Sequence, residues 1–320
     1  MSGWLWSTQW IVALQAIHVP GLDGVMSGLT FLGSELFYLL VMPALLWSYD
    51  AGLGMRTGIL LLGGSSLNGI LKLAFRLPRP FWVDPAVRAP QPEASFGLPS
   101  GHSQNAVTVW GYLAVRLRRP WVTAAALLLI LGISFSRPYL GVHFAADVVA
   151  GWLVGGLVLV VFLQVEKPAG RWLQSKGVGT RLVVVLVASF VVIGVGALVV
   201  AATSGRAVPA AWIENYLRAV PTSTGFIATA PDDLVSAAGA LLGFSIGCVL
   251  LDDWGRFDAA RGGWARLWRF VLGVVGTLAL YLGLRAVSPS GEAFRYLRYA
   301  VVGFWIAYGA PRAFVALKLG

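Results

Sequence analysis

Long apolar runs recur along the whole of this 320-residue chain, and they limit its possible folds more than any motif does. They fall at residues 31–49, 57–75, 100–115, 121–135, 142–165, 182–202, 233–251, 270–287 and 296–314. A helix rises about 1.5 Å per residue, so roughly 20 apolar residues cross a hydrocarbon core of about 30 Å. Charged residues make up only 12% of the chain, against about a quarter in a soluble domain. The expectation is an all-α, polytopic membrane helix bundle of about nine transmembrane helices. Residues 3–18 are apolar but shorter, about 24 Å as a helix, and carry Trp4, Trp6 and Trp10. They read as an interfacial helix, with a spanning helix as runner-up, and His18 closes it as an interfacial or capping residue. The chain thus divides into 1–30, 31–165 with five spans, and 166–320 with four.

The net charge of +10 is scattered between apolar spans and forms no continuous basic patch, so no nucleic-acid partner is expected. Cys248 is the single cysteine and reads as a small buried hydrophobe. Residues 1–10 contain no Lys or Arg and no small-residue cleavage pattern, so no removable signal peptide is expected. Gly151 with Gly155, and Gly239, Gly243 and Gly247, are spaced for close helix packing. Glu35 opens the first span, and Pro231-Asp232-Asp233 reads as ordinary helix-start chemistry rather than a metal site.

The chemistry gathers in three places. His143 and Asp147 stand four residues apart, which on a helix puts them on one face. The carboxylate can then fix the imidazole tautomer and leave the other nitrogen as nucleophile or base. Arg137 precedes them by one short stretch. Pro99-Ser100-Gly101-His102 opens the third span, and Lys72 and Arg79-Pro80 close the second. A phosphate ester needs its charge neutralised, its phosphorus attacked in line and its leaving oxygen protonated. Lys72, Arg79 and Arg137 suit the first task, helped by the backbone N–H groups of Ser100 and Gly101 at a helix start. His143, oriented by Asp147, is the better nucleophile, and His102, at a helix N-terminus, the better acid. Asn68 lies one turn before Lys72 and either steadies its ammonium or bonds to a neighbouring helix. No metal or cofactor is called for.

Lys72-x6-Arg79-Pro80, Pro99-Ser100-Gly101-His102 and Ser136-Arg137-x5-His143-x3-Asp147 together resemble the three-part signature of the type 2 phosphatidic acid phosphatase (PAP2) superfamily. The resemblance covers residues 30–165. It implies an integral membrane, metal-independent lipid phosphatase, with a phosphohistidine on His143, acid help from His102 and phosphate contacts from the basic residues, Ser100 and Gly101. The substrate expected is a lipid phosphate or diphosphate ester among the membrane lipids. Phe81, Trp82 and Phe96, with Trp4, Trp6 and Trp10 before them, read as interfacial aromatics and favour a lipid. Alternatives are a glucose-6-phosphatase-like sugar phosphatase, with Gln91, Ser95, Asp84 and Glu93 as hydroxyl readers, a phosphotransferase, a vanadate-dependent haloperoxidase, and a non-enzymatic lipid transporter. With the motifs facing outward, 14 of the 24 Lys and Arg lie on the opposite side. The positive-inside rule then puts the site on the non-cytoplasmic face, the periplasm or exterior for a bacterial inner membrane.

Overall fold

The computed structural model describes residues 3–17, 19–223, 225–260, 262–287 and 289–319; His18 and Arg261 lie outside them. Every regular element among the described residues is helical. In chain order they are α1 (Gln9–Ala16), α2 (Pro20–Phe31), α3 (Glu35–Val41), α4 (Pro43–Ser48), α5 (Ala51–Phe75), α6 (Pro80–Val83), α7 (Gly101–Leu117) and α8 (Pro120–Tyr139). There follow α9 (Ala145–Gln174), α10 (Val178–Thr203), α11 (Ala210–Ala219), α12 (Asp232–Trp254), α13 (Trp264–Val287), α14 (Glu292–Phe304) and α15 (Ala310–Ala316).

Among the described residues six helices (α5, α8, α9, α10, α12 and α13) are long and apolar enough to cross a membrane, and a seventh span is reached if α2 with α3–α4 counts as one broken crossing. The shortfall from nine has local causes. The run at 31–49 is interrupted after Phe31 and again at Pro43, which opens α4 where its missing N–H costs nothing. α7 is 17 residues long and carries Gln104, Asn105 and Thr108. The final run begins early, at Glu292 with Arg295 and Arg298, and is broken by a π-helical turn at Trp305–Gly309.

The chain forms two compact units. The first comprises residues 1–34, 67–159 and 196–231, the second 35–66, 160–195 and 232–320. The first unit is built around aromatic side chains. Trp82 is fully buried and meets Phe81, Phe96, Tyr216 and Phe226 at centroid distances of 6.1, 6.0, 6.2 and 4.9 Å. Phe81, Trp82 and Phe96 are 2%, 0% and 1% exposed, so these aromatics, expected at the membrane interface, are core instead. Burying such a ring contributes about 1.5–3 kcal/mol, more than the interface offers. α11 joins this core, and Asn215 Nδ2 donates to Trp82 O at 2.9 Å. α1, at eight residues, is too short to span. It docks through buried Ile11 and through Gln15, whose Nε2 donates to Arg88 O and Tyr139 O. Gly151 and Gly155 let α9 lie against α7: a Cβ at either would come within 2.7 Å of the carbonyl of Ser100 or Gln104.

In the second unit, Gly239 and Gly243 of α12 press on the backbone of α14 at Tyr296 and Ala300, and Gly247 on the Ala307 side chain in the turn after it. Cys248 is buried there, in a cluster with Trp47, Phe244, Ile306 and Phe314. Asp232 opens α12 and pairs with Arg295 at 2.7 Å, as a helix-start acid would. Glu35 likewise begins its helix, α3.

Candidate active site

All three motifs lie in the first unit. α8 ends at Tyr139, and Gly141 takes a φ of +69°, a left-handed turn that a side chain would strain and that would drive a Cβ into Arg88 O. That turn delivers His143 just before α9 starts at Ala145. His143 is therefore not on the helix with Asp147, as the spacing suggested. The two meet because Asp147, in the first turn of α9, reaches back: its Oδ2 accepts from Phe144 N–H at 2.9 Å and from His143 Nδ1 at 3.1 Å. The backbone half of that contact is one arm of a capping box.

The other ring nitrogen, Nε2, lies 3.1 Å from Arg79 Nη1. A guanidinium only donates, so Nε2 must accept and the ring proton must sit on Nδ1, toward Asp147. The lone pair of Nε2 thus points into a cluster of cations. His143, Asp147 and Arg79 are each 0% exposed, Arg137 2% and Lys72 7%. Arg79 is held from every side: it donates to Ser95 O, Val142 O and Phe96 O, and to Ser95 Oγ. Lys72, in the last turn of α5, donates to the same Ser95 Oγ at 2.9 Å. Arg137 donates to Thr30 Oγ1 of α2, and its buried Nε has no hydrogen-bond partner among the described residues.

Ser100 is the N-cap of α7, its Oγ accepting from Ser103 N–H. Its own N–H donates to Asp147 O at 3.0 Å, which locks the start of α7 to the start of α9. The Ser100 amide is thereby committed, and an anion reaching this helix start meets the groups beyond it. Asn68 Nδ2 donates to Pro99 O and to Gln104 Oε1 at 2.9 Å, the helix–helix bond of the two roles considered for it. Gly101 leaves room for that amide, since a Cβ there would lie 3.2 Å from Asn68 Oδ1. His102 follows, 19% exposed, with Gly33 against its ring.

The site has a member that the motifs do not contain. Glu93 Oε2 pairs with Arg79 at 2.7 Å, its Oε1 pairs with Arg137, and His102 Nδ1 lies 4.0 Å from Oε1. Burial would raise its pKa, but Arg137 and Arg79, with the two histidines, hold it well below the usual carboxylate range. One sequence signal pointed here: Glu93 is the one acidic residue between Asp84 and Asp147. Among the described residues no three His, Cys, Asp or Glu side chains gather as metal ligands.

Long apolar helices and a buried cluster of cations around a paired histidine define a multi-pass integral membrane protein with a cationic centre. Two family models match the sequence, the PAP2 superfamily over residues 53–171 and the PAP2 superfamily phosphatase transmembrane extension over 235–320. The chain belongs to the PAP2 superfamily. It is 31% identical over 174 residues to phosphatidylglycerophosphatase B of Bacillus subtilis, covering 50% of this chain and 82% of that one. It is 32% identical over 184 residues to lipid phosphate phosphatase delta of Arabidopsis thaliana, and there it spans 44% of the relative's length. An undecaprenyl-diphosphatase of Sulfolobus acidocaldarius is 29% identical over 152 residues, 47% of this chain and 73% of that one.

Proposed function

We propose that this protein is a membrane-embedded phosphatase that hydrolyses lipid phosphate or diphosphate esters through a phosphohistidine on His143. The observation that carries the proposal is the fixed lone pair of His143 Nε2, aimed among Lys72, Arg79 and Arg137. In the first step Nε2 attacks phosphorus, the bond to the leaving oxygen breaks, and His102 gives that oxygen a proton. In the second, His102 takes a proton from water, the hydroxide attacks, the P–N bond breaks and inorganic phosphate leaves. The three cations offset the charge of the transferring phosphoryl group, the task a metal ion performs in other phosphatases. Arg137 Nε, buried and unpaired, is a donor in reserve for a phosphate oxygen. Asp147 holds the tautomer, Ser100 and Gly101 shape the helix start that faces the anion, and Asn68 holds that start to α5.

A lipid substrate is supported by the relatives, whose names specify phosphatidylglycerophosphate, undecaprenyl diphosphate and lipid phosphates. The loop adds a second support: residues 76–99 offer few neutral polar side chains, Gln91 and Ser95, and Ser95 Oγ already accepts from Lys72 and Arg79, which leaves its O–H as a single donor. Activity in detergent should survive excess EDTA and be lost to vanadate, a phosphate-like anion, in a phosphate-release assay. Loss in EDTA that Mg²⁺ restores would overturn the metal-independent site.

The site faces the non-cytoplasmic side in this reading, because the loops opposite the motifs carry Arg116, Arg118, Arg119, Lys167, Arg171 and Lys176 among others. With Cys248 replaced, a single cysteine at Arg88 should react with an impermeant thiol reagent from outside. One at Arg118 should react after permeabilisation alone. Outside labelling at Arg118 would reverse the orientation.

A further inference from the structure

The 84–100 segment runs without a helix between α6 and α7 and is fixed at both ends. Thr8 Oγ1 donates to Asp84 and Gln15 Oε1 accepts from Arg88 N–H; beyond Glu93, Ser95 is bound by Arg79 and Gly97 N–H donates to Leu77 O. Between these anchors the Glu93 side chain enters the cation cluster, bridging Arg79 and Arg137 with one oxygen each. That side chain is 29% exposed, while those of its two partners are 0% and 2% exposed, so Glu93 is the most accessible of the three. Because the backbone is pinned on both sides, a rotation about the side-chain torsions is enough to vacate it.

We propose that Glu93 is an internal stand-in for the substrate's phosphate: it fills the cradle of Arg79 and Arg137 at rest, and a phosphate must displace it to reach His143. The proposal rests on the reading of these cations as the phosphate cradle. Its consequence is selection by charge. A phosphate monoester carries about −1.5 to −2 at neutral pH and presents three terminal oxygens. A phosphodiester headgroup carries a single charge and has two non-bridging oxygens. A tethered carboxylate competes at an effective concentration of millimolar order or above without any encounter. Displacing it weakens both ligands by the same factor, so the dianionic monoester, or the terminal phosphate of a diphosphate, still binds through its larger charge, while the weaker singly charged diester falls below the threshold for occupancy. At headgroup depth diester lipids surround the site, and Glu93 keeps them from silting it up.

The test uses the full-length protein in detergent and Glu93→Gln, which keeps the shape and removes the charge. Thermal-shift titration with inorganic phosphate should give an apparent Kd at least ~10-fold lower in Glu93→Gln, about 1.4 kcal/mol. Native protein and variants are compared at one pH, about 8, where phosphate is mainly dianionic and the cations keep the carboxylate ionised. In turnover assays, phosphatidylglycerol in mixed micelles should inhibit Glu93→Gln at least ~10-fold more strongly than the native protein, by the same charge argument. Glu93→Asp, which shortens the reach and keeps the charge, should tighten phosphate in the same direction by less, and it serves if Glu93→Gln does not fold. Unchanged or weaker phosphate binding in the variants would overturn the proposal and make Glu93 a brace for the arginines. Absence of phosphate binding by every form, native included, would instead remove the cradle itself, a failure of the functional reading that carries this proposal with it.

Discussion

His143→Ala should lose turnover by at least ~10⁴-fold, whereas His102→Ala should lose less and lose it unevenly across substrates. Removing the nucleophile removes the route, because the proposed chemistry passes through the Nε2 lone pair that Asp147 orients. Removing a general acid forfeits a factor of about 10²–10⁴, and that factor shrinks as the leaving group needs its proton less. His102→Ala should therefore recover toward the native kcat/KM, which reports the phosphorylation step, on p-nitrophenyl phosphate, while an alkyl phosphate stays slow. His143→Ala should be equally dead on both. The measurement is kcat/KM for the two esters in the native protein and each variant. Two variants with the same dependence on leaving group would mean that the roles are wrongly divided.

The second large effect concerns substrate. The kcat/KM for phosphatidate, lysophosphatidate or a polyprenyl diphosphate should exceed that for glucose 6-phosphate by at least ~100-fold, about 2.7 kcal/mol of differential transition-state binding. A sugar phosphatase must spend side chains on hydroxyls, and a site that hydrogen-bonds a substrate discriminates through those bonds. The 76–99 loop offers few neutral side chains for that task, Gln91 and Ser95, and Ser95 Oγ already accepts from Lys72 and Arg79. Rates measured side by side in one detergent decide the matter. Equal or better activity on the sugar phosphate would end the lipid reading and leave the catalytic roles standing.

The motif residues could be read from the sequence because each is a rare type in an apolar chain. A lone histidine four residues from a lone aspartate has few ordinary explanations in a membrane protein. The packing glycines were legible for a similar reason, since a four-residue repeat of small residues has one geometric use, close helix approach. What the sequence hid was tertiary. Phe81, Trp82 and Phe96 look interfacial beside Trp4, yet they are enclosed by Tyr216 and Phe226, which lie over a hundred residues later in the chain. No local pattern announces such a partner. The helix pairing of His143 with Asp147 was right in contact and wrong in backbone, because Gly141 delays the start of α9. Glu93 was overlooked as a site member because proline-rich loops carry acids for many reasons. Only its distances to Arg79, Arg137 and His102 separate it from those. The span count fell short of nine where Pro43, the polar start of α7 and the π-helical turn interrupt otherwise apolar runs.

The central claim is a covalent one, that phosphorus passes through Nε2 of His143, and acid-sensitive trapping addresses it directly. Native protein mixed with ³²P-labelled lipid phosphate and quenched in alkali should retain label that acid releases and alkali does not. Peptide mapping should place that label on the fragment containing His143, and His143→Ala should carry none. His102→Ala, slow to hydrolyse the intermediate, should accumulate it when loaded from a substrate with a good leaving group. Label on a serine, label that survives in His143→Ala, or full turnover with no labelled protein on the millisecond timescale would contradict the account.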